Sequence, residues 1–349
     1  MEAQLERFIQ QHRPDADSVR VENFQLLAGG YSQETYSADA VVQSGGNAET
    51  LPLIIRRDPP PDQDILPTDR RLEFQITQRV GERTNIPVAI PYFLDEKGES
   101  LDRPAMVMER LRGSADLTPL FAPGNEDELE AVATDFCERI AELHATSLDV
   151  LDPEGDFRDA RGAGIDASTW ESYMTSSMEF FVESYHGIAF DPLPVFYDMY
   201  ASLPNRLPQP VPLAMCHGDY QPSNFLYEDG RITGVIDWEA AHVGDPREDI
   251  GWLFQLSRIT GFDLAGSVKA DGGFLQHYSK LSGIPVTEED VGFFQVFSSA
   301  ALAAPILDAV RRGLDGEAQN FLSTYMLQPL VSAQPGYCMI LGYPEAEAV

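Results

Sequence analysis

Three short polar segments in the second half of the chain constrain its fold and function more than any other feature of the sequence. They read HGDYQPSN from residue 217, VIDWE from residue 235 and GDPREDI from residue 244. The strand-like runs LAMCH (213–217) and ITGVID (232–237) flank the first segment. A hydrophobic core has no use for so dense a group of charged and amide side chains. The series therefore indicates a functional site built on loops between strands.

The acidic and amide residues of this series have the spacing expected of a Mg·ATP site. Asp219 and Asn224 form the pattern D-x-x-x-x-N, and Asp237 follows them. Magnesium prefers oxygen ligands, commonly one or two carboxylates together with phosphate oxygens, which Asp237 and the Asn224 carbonyl can supply. Asp219 would then orient an acceptor hydroxyl and take its proton. Asp and Asn also favour turns, so turn capping is the alternative, but the serial arrangement favours the functional interpretation.

The charge of the chain excludes some classes of partner. Its 349 residues include 24 Lys+Arg and 56 Asp+Glu, which gives a net charge of −32. A nucleic acid or an anionic membrane requires a basic footprint, so we expect neither as a partner. A cationic substrate is compatible with the charge, but a solvated acidic surface is the stronger explanation.

The cysteines and the apolar segments favour a cytoplasmic protein. Cys137, Cys216 and Cys338 are scattered and lack C-x-x-C spacing, which predicts a reducing compartment without disulfides or zinc. The N-terminus has no apolar core of the kind that a secretory signal requires. The most apolar stretch, VFSSAALAAPILDAV (296–310), is shorter than a membrane span.

The pattern of predicted elements divides the chain into two parts. Residues 1–110 begin with a helix over 2–12 and continue mainly as strands, interrupted by a helix over RLEFQITQRVGER that we expect to end at Gly81. Residues 111–349 are mainly helical, beginning with a long amphipathic helix over EDELEAVATDFCERIAELHATSL. A cleft between two such lobes is a common place for a ligand site.

The polar series follows the logic of the protein-kinase catalytic loop and metal-binding aspartate. Here the catalytic-loop motif reads HGD, the metal-binding aspartate stands in IDW, and GDPREDI follows downstream. With these variants the chain resembles the aminoglycoside phosphotransferase and choline kinase-like family. The segments GGYSQETY, IIRRDPP, LEFQITQRV, MERLRG and LHA are similar to further landmarks of that family, in the expected order. The Arg-Arg-x-Pro-Pro segment is most similar to the branch found beside acyl-CoA dehydrogenases. The resemblance implies an α+β, protein-kinase-like fold with a small antiparallel-sheet N-lobe and a larger, mainly helical C-lobe.

The resemblance also implies a role for individual residues. Asp219 would be the catalytic base, and Asn224 and Asp237 would bind magnesium. Asp249 would brace the catalytic loop through backbone hydrogen bonds. The remaining residues would contact ATP. Gly29, Gly30 and Ser32 would lie over the phosphates, and Glu73 would pair with the cation that holds the phosphates. Backbone groups of Glu109 and Leu111 would contact the edge of the adenine.

The third strand departs from the family pattern. The phosphate-holding cation is usually a lysine there, but LPLIIRR contains none. Arg56 is the candidate, since arginine can grip phosphate bidentately, and Arg57 is the alternative because the register of the strand is not fixed by the sequence. Glu73 could instead be an ordinary solvated residue. We expect His217 to form structural hydrogen bonds rather than act as an acid–base catalyst, and His144 to lie in the core.

Two functions of different class fit these features. The first is a small-molecule kinase that moves the γ-phosphoryl group of Mg·ATP to a hydroxyl group. The second is a nucleotide-binding module with little or no turnover, which the missing lysine suggests and the intact base and metal ligands oppose. A hydrolase is disfavoured because G-x-S-x-G, H-E-x-x-H and Walker A motifs are lacking. The acceptor, whether an aminoglycoside, a choline-like amine or a hydroxyacyl thioester, and the choice of ATP over GTP remain open.

Overall fold

A computed structural model describes residues 1–27, 33–60, 69–159, 164–188, 194–316 and 342. Three of the expected nucleotide-binding residues, Gly29, Gly30 and Ser32, lie outside the described residues, as does Cys338.

The first part of the chain forms a five-stranded antiparallel sheet. Its strands are β1 Ser18–Leu26, β2 Glu34–Ser44, β3 Asn47–Arg57, β4 Pro91–Asp95 and β5 Ala105–Glu109. They lie in the order β1-β2-β3-β5-β4, and every pairing is antiparallel. The two-residue turn Gly45-Gly46 joins β2 and β3, with positive φ at both glycines.

Two helices accompany this sheet. Helix α1, Glu2–His12, has the predicted bounds and buries Leu5, Phe8 and Ile9 in the same core as the inner face of the sheet. Helix α2 spans Arg70–Arg83 and therefore continues through Gly81, so the predicted end at that glycine is wrong. A Cβ at Gly81 would lie 2.9 Å from Val88 Cγ2, which shows that the glycine permits close packing within the helix instead of ending it.

The second part of the chain is mainly helical, as expected. Its helices are α3 Glu126–Ala145, α4 Leu148–Leu151, α5 Trp170–His186, α6 Pro194–Ser202, α7 Arg247–Thr260, α8 Leu264–Ser267, α9 Phe274–Ser282 and α10 Glu288–Leu314. Helix α3 buries Val132, Phe136, Ile140 and Leu143 at the predicted spacing in the largest hydrophobic core. The division of the chain near residue 110 stays a prediction.

Two small antiparallel pairs position the polar segments within this helical part. Strand β6, Ala214–Cys216, pairs with β9, His242–Gly244, and β7, Phe225–Glu228, pairs with β8, Arg231–Val235. The first polar segment therefore joins β6 to β7, and the second joins β8 to β9. Because β6 and β9 are neighbours, the start of the first loop lies beside the end of the second loop.

The apolar stretch at 296–310 belongs to the 27-residue helix α10. The helix extends well beyond that stretch and is long and apolar enough to cross a membrane by length and composition alone. The length of the stretch therefore does not exclude a membrane span. However, 67% of its most apolar window is buried inside the protein, which is the burial of a core helix. The absence of a membrane partner and a cytoplasmic location remain expectations.

The start of α2 offers a test of the fold near the site. The Asp69 carboxylate accepts hydrogen bonds from the backbone N–H groups of Arg71 and Leu72 and thereby caps the helix. Asp69→Ala should lower the free energy of unfolding by about 1 kcal/mol, whereas Asp69→Ser should retain most of it. Urea unfolding of both variants measures the difference, and equal stabilities would show that the cap contributes nothing.

Candidate active site

The loop that carries HGD is held by one buried carboxylate. Asp249, on α7, accepts hydrogen bonds from the backbone N–H groups of His217 (2.7 Å) and Gly218 (2.8 Å). His144 on α3 lies 3.1 Å from the same carboxylate and is buried, as expected. Burial alone would raise the pKa of Asp249, but the hydrogen bond from His144 and the nearby imidazoles outweigh it and lower the pKa. The predicted bracing contacts of Asp249 are therefore present.

Gly218 is required by the course of this loop. Its φ is +80°, in the left-handed region that favours glycine. A Cβ at this position would lie 2.1 Å from the backbone oxygen of Ala240, which belongs to the neighbouring loop. Glycine therefore allows the HGD loop and the IDW loop to lie in direct backbone contact.

His217 links the same two loops through its ring. Its Nε2 lies 3.0 Å from the backbone oxygen of Ile236, next to Asp237. Burial lowers the pKa of His217, so the ring is neutral. Nε2 then donates to Ile236, and Nδ1 accepts from the N–H of Asp219 at 3.3 Å. These contacts agree with the structural role expected for His217.

Asp219 lies at the centre of a hydrogen-bond network. Its carboxylate accepts from Trp252 Nε1 (2.6 Å), from Gln221 Nε2 (2.9 and 2.8 Å) and from Asn224 Nδ2 (2.6 Å). Burial and the negative charge of Asp237 raise the pKa of Asp219 to about 7, although the three donors oppose this rise. A carboxyl group that titrates near neutrality is suited to proton transfer.

The side-chain amide of Asn224 has a defined orientation. Its nitrogen donates to the Asp219 carboxylate and also to the backbone oxygen of Asp219, at 2.9 Å. Both partners are acceptors, so the carbonyl oxygen of Asn224 must point away from Asp219. The backbone oxygen of Asn224 accepts from Ile236 N–H at 3.0 Å, which ties Asn224 to the residue before Asp237. Asn224 can therefore present an oxygen atom on the side of the Asp237 loop.

Arg56, on β3, spans the gap between the two parts of the chain. Its Nη1 donates to Glu73 (2.6 Å), and its Nη2 lies 2.5 Å from Asp237 and 3.4 Å from Glu239. Burial would raise the pKa of Asp237, but the charge and hydrogen bond of Arg56 lower it. Asp237 has a left-handed backbone, with φ +69°, at the start of a short 3₁₀ turn over Trp238–Ala240.

The register of β3 separates the two candidate arginines. Arg57 donates to Glu34 and to Tyr36 (3.1 Å) on β2, and its other nitrogen donates to the backbone oxygen of Leu101 (3.3 Å). Because successive side chains of a strand point to opposite faces, Arg57 is directed away from Asp237. Arg56 is therefore the arginine that faces the polar loops, and its expected pairing with Glu73 is present.

Three residues that the sequence did not single out complete this ion network. Arg70 donates to Glu73 and to Gln33, and the Gln33 amide also bonds Arg56 and Glu239. Arg70 lies one helical turn before Glu73, and Glu239 lies two residues after Asp237. The position of each in the sequence, close to a predicted site residue, therefore indicates that it belongs to the site. Gln33 is adjacent to the predicted phosphate loop, but its contact with Glu239 crosses 206 residues of sequence.

The acidic residues here suit a metal ion. Burial and the charge of Asp237 raise the pKa of Glu239 to about 8, and Glu73 raises it further while Arg56 and Arg70 lower it. Burial and the charge of Asp237 also raise the pKa of Asp219. A cation would relieve this repulsion between carboxylates, and the available oxygen donors are those that magnesium prefers. The residues that are present therefore fit the expected Mg²⁺.

The segment after β5 lies beside a small apolar cluster. Ala89, Met106 and Met108 are buried there, with Ile54, Phe74 and Leu111 packed against them. The Glu109 N–H donates to the backbone oxygen of Ile90 at 2.9 Å and so belongs to the sheet. The structure thus places Leu111 beside an apolar surface and leaves the expected adenine contacts of Glu109 and Leu111 as predictions.

Comparison with known proteins places the chain among phosphotransferases. Residues 23–288 match the model of the phosphotransferase enzyme family. Mouse acyl-CoA dehydrogenase family member 10 is 23% identical over 294 residues, which are 77% of this chain and 25% of the mouse protein. Human acyl-CoA dehydrogenase family member 11 is 24% identical over 357 residues, 94% of this chain and 44% of the human protein. The chain spans less than half the length of these two relatives.

Solved structures with the same fold cover almost the whole chain. A candidate aminoglycoside phosphotransferase from Ralstonia eutropha JMP134 has a TM-score of 0.70 at 21% identity, covering 98% of this chain and 97% of that one. A thermostable mutant of aminoglycoside phosphotransferase APH(4)-Ia, in a ternary complex with ADP and hygromycin B, has a TM-score of 0.58 at 18% identity and covers 97% of each chain. The family match confirms the predicted family resemblance and the phosphotransferase class of enzyme. The solved structures confirm the predicted fold class.

The raised pKa of Glu239 predicts how stability depends on pH. The folded chain holds the Glu239 proton up to about pH 8, whereas the unfolded chain releases it near pH 4.5. The stability that this proton confers should therefore be lost as the pH rises through that window. Glu239→Gln cannot titrate, so thermal unfolding at about pH 5.5 and about pH 8.5 should show a smaller loss in the variant than in the wild type. The exposed Glu96→Gln is the matched control, and identical pH dependence in all three proteins would contradict the prediction.

Proposed function

Because this chain belongs to the phosphotransferase enzyme family, we propose that it transfers the γ-phosphoryl group of Mg·ATP to a hydroxyl group of a small molecule. The observation that carries the proposal is the meeting of three separate parts of the chain. Arg56 of the sheet contacts Asp237, and the adjoining loop holds Asp219 against Asn224. A cation for phosphate, oxygen ligands for a metal and a base are thus adjacent.

The nucleotide would lie between the sheet and the polar loops. Arg56 would hold the phosphates while Glu73 and Gln33 fix its guanidinium group. The apolar cluster beside Leu111 suits a flat base such as adenine. The roles of Gly29, Gly30 and Ser32 over the phosphates, and of the Glu109 and Leu111 backbone at the adenine edge, are part of this proposal. The ADP in the complex of APH(4)-Ia supports an adenine nucleotide.

Asn224 and Asp237 would hold magnesium in this arrangement. When bound, the metal would offset negative charge between the β- and γ-phosphates. The chain's own part is to keep the ligands in place. Asn224 is fixed by its two bonds to Asp219, and Asp237 by the backbone bond between Ile236 and Asn224.

Asp219 would act on the acceptor. As the acceptor oxygen forms a bond to the γ-phosphorus, the bond from that phosphorus to the bridging oxygen breaks, and ADP leaves with the bonding electrons. The hydroxyl proton passes to an oxygen of Asp219. The hydrogen bonds from Trp252 and Asn224 orient the carboxylate for this transfer.

The acceptor is the least constrained part of the proposal. Hygromycin B in the complex of APH(4)-Ia and the net charge of −32 favour a cationic, hydroxyl-bearing molecule. The acyl-CoA dehydrogenase relatives favour a hydroxyacyl thioester instead. An ADP-release screen of aminoglycosides, choline-like amines and hydroxyacyl thioesters, with ATP and with GTP, distinguishes these classes. A nucleotide-binding module without turnover would bind Mg·ATP in the same experiment and release ADP with none of them.

Arg56 and Arg57 form a matched pair for testing the phosphate contact. Arg56→Ala should weaken Mg·ATP binding, because it removes the cation that faces Asp237, and Arg56→Lys should be milder. Arg57→Ala removes an equally buried arginine that faces Glu34, so it should leave nucleotide affinity close to wild type. Calorimetric titration of Mg·ATP onto the three folded variants measures the effect. The assignment moves to Arg57 if only Arg57→Ala loses affinity, and it fails if neither variant does.

Neutral substitutions of Asp219 and Asp237 should have different effects on nucleotide binding and on phosphoryl transfer. Asp237→Asn should weaken metal-nucleotide binding and abolish transfer together, since Asp237 would bind the metal. Asp219→Asn should leave Mg·ATP affinity nearly intact and lower kcat by about 10²–10⁴-fold, the typical contribution of a positioned general base. That loss corresponds to about 3–5 kcal/mol of activation barrier. Equal loss of Mg·ATP binding in both variants would contradict this division of roles.

A further inference from the structure

The carboxylate of Asp219 has no lone pair left for a substrate. A carboxylate offers about four lone-pair positions on its two oxygens. Trp252 Nε1 (2.6 Å) and Gln221 Nε2 (2.9 Å) bond Oδ1, while Gln221 Nε2 (2.8 Å) and Asn224 Nδ2 (2.6 Å) bond Oδ2. All four positions are therefore occupied by donors from the chain itself. An acceptor hydroxyl can bond Asp219 only if one of these donors leaves.

Two of the three donors are held firmly. Trp252 projects from α7, has a rigid ring and makes one short bond to the carboxylate. Asn224 makes a second bond to the backbone oxygen of Asp219 and is buried. To leave, Asn224 would have to break its second bond as well, and Trp252 would have to give up a shorter bond of 2.6 Å by swinging its whole ring.

Gln221 is the donor that can leave. Its two contacts are the longest of the four, and both described bonds of its side chain end on the Asp219 carboxylate. The side chain is half-buried, as is Asp219 itself, so the pair lies at the edge of the protein interior. Rotation about the side-chain bonds of Gln221 would open one position on each carboxylate oxygen without disturbing the loop.

We propose that Gln221 occupies the place of the acceptor hydroxyl on Asp219 until the acceptor displaces it, while Trp252 remains as the donor that orients the carboxylate. This inference rests on the proposed role of Asp219 as the base. Gln221 would then be a specificity-determining residue, because its amide keeps water off the base when the acceptor is absent. An acceptor brings enough binding free energy to displace the amide, and a single water molecule does not.

Loss of the amide should therefore increase transfer to water. In that reaction a water oxygen bonds the γ-phosphorus, the bond from phosphorus to the bridging oxygen breaks, and one water proton passes to Asp219. The products are ADP and inorganic phosphate, and no further reactant is needed. This side reaction can be measured without knowing the natural acceptor.

The test is acceptor-independent ADP release by the full chain with Mg·ATP. Gln221→Ala should raise the rate about tenfold, equivalent to ~1.4 kcal/mol, because water no longer has to displace a hydrogen-bond donor. Gln221→Met keeps the volume of the side chain without its donor and should give the same increase. Gln78→Ala, a loss of an exposed glutamine on α2, is the matched control and should leave the rate unchanged. A rate that is unchanged or lowered in both Gln221 variants overturns the proposal.

Two further measurements separate this inference from the proposed function. In the double variant Gln221→Ala/Asp219→Asn, ADP release should return to the level of Asp219→Asn, and a persistent increase would overturn a route through Asp219. Trp252→Phe should lower ADP release and leave the calorimetric Kd for Mg·ATP unchanged, as expected of a positioning residue. If the wild type does not bind Mg·ATP, the proposed function fails. If it binds Mg·ATP and the Gln221 variants match its ADP release, only the present inference fails.

Discussion

The buried carboxylate of Asp249 is the interaction on which the rest of the site depends. An ion without exposure to water is costly unless several donors satisfy it. Here the backbone N–H groups of His217 and Gly218 and the imidazole of His144 supply those donors. Because two of them are backbone groups of the HGD loop, the same bonds that stabilise the ion also fix the position from which Asp219 projects.

Several of the remaining charges at the site have the same sign and lie close together. Burial and the charge of Asp237 raise the pKa values of both Asp219 and Glu239, so the folded chain keeps carboxylates close together that would repel one another when ionised. Arg56 and Arg70 neutralise only part of this charge. Under the proposed function, a cation and phosphate groups bound at the same place would relieve this repulsion.

Local patterns predicted the parts of the fold and site that depend on neighbouring residues. The polar loops, helix α1 and the buried face of α3 followed from motif spacing and periodicity. The choice between Arg56 and Arg57 could not be made from local patterns. A shift of one residue in the register of a strand moves every side chain to the opposite face of the sheet. Glycine is frequent at helix ends, which predicts an end at Gly81, but close packing against Val88 is the reason for glycine at this position. Gln33 and Trp252 reach the site through tertiary contacts, which no local pattern encodes.

The replacement of the usual lysine by Arg56 follows from the number of partners at this position. Three nitrogens of the guanidinium group point in fixed, different directions, with Nε on Gln33, Nη1 on Glu73 and Nη2 on Asp237 and Glu239. A lysine presents one compact charge and could not hold all of these partners. Under the proposed function, Nη2 can transfer from Asp237 to a phosphate oxygen while the other two nitrogens keep the side chain in place. Metal binding at Asp237 and phosphate binding at Arg56 would then favour each other, because each ligand takes over one half of an existing ion pair.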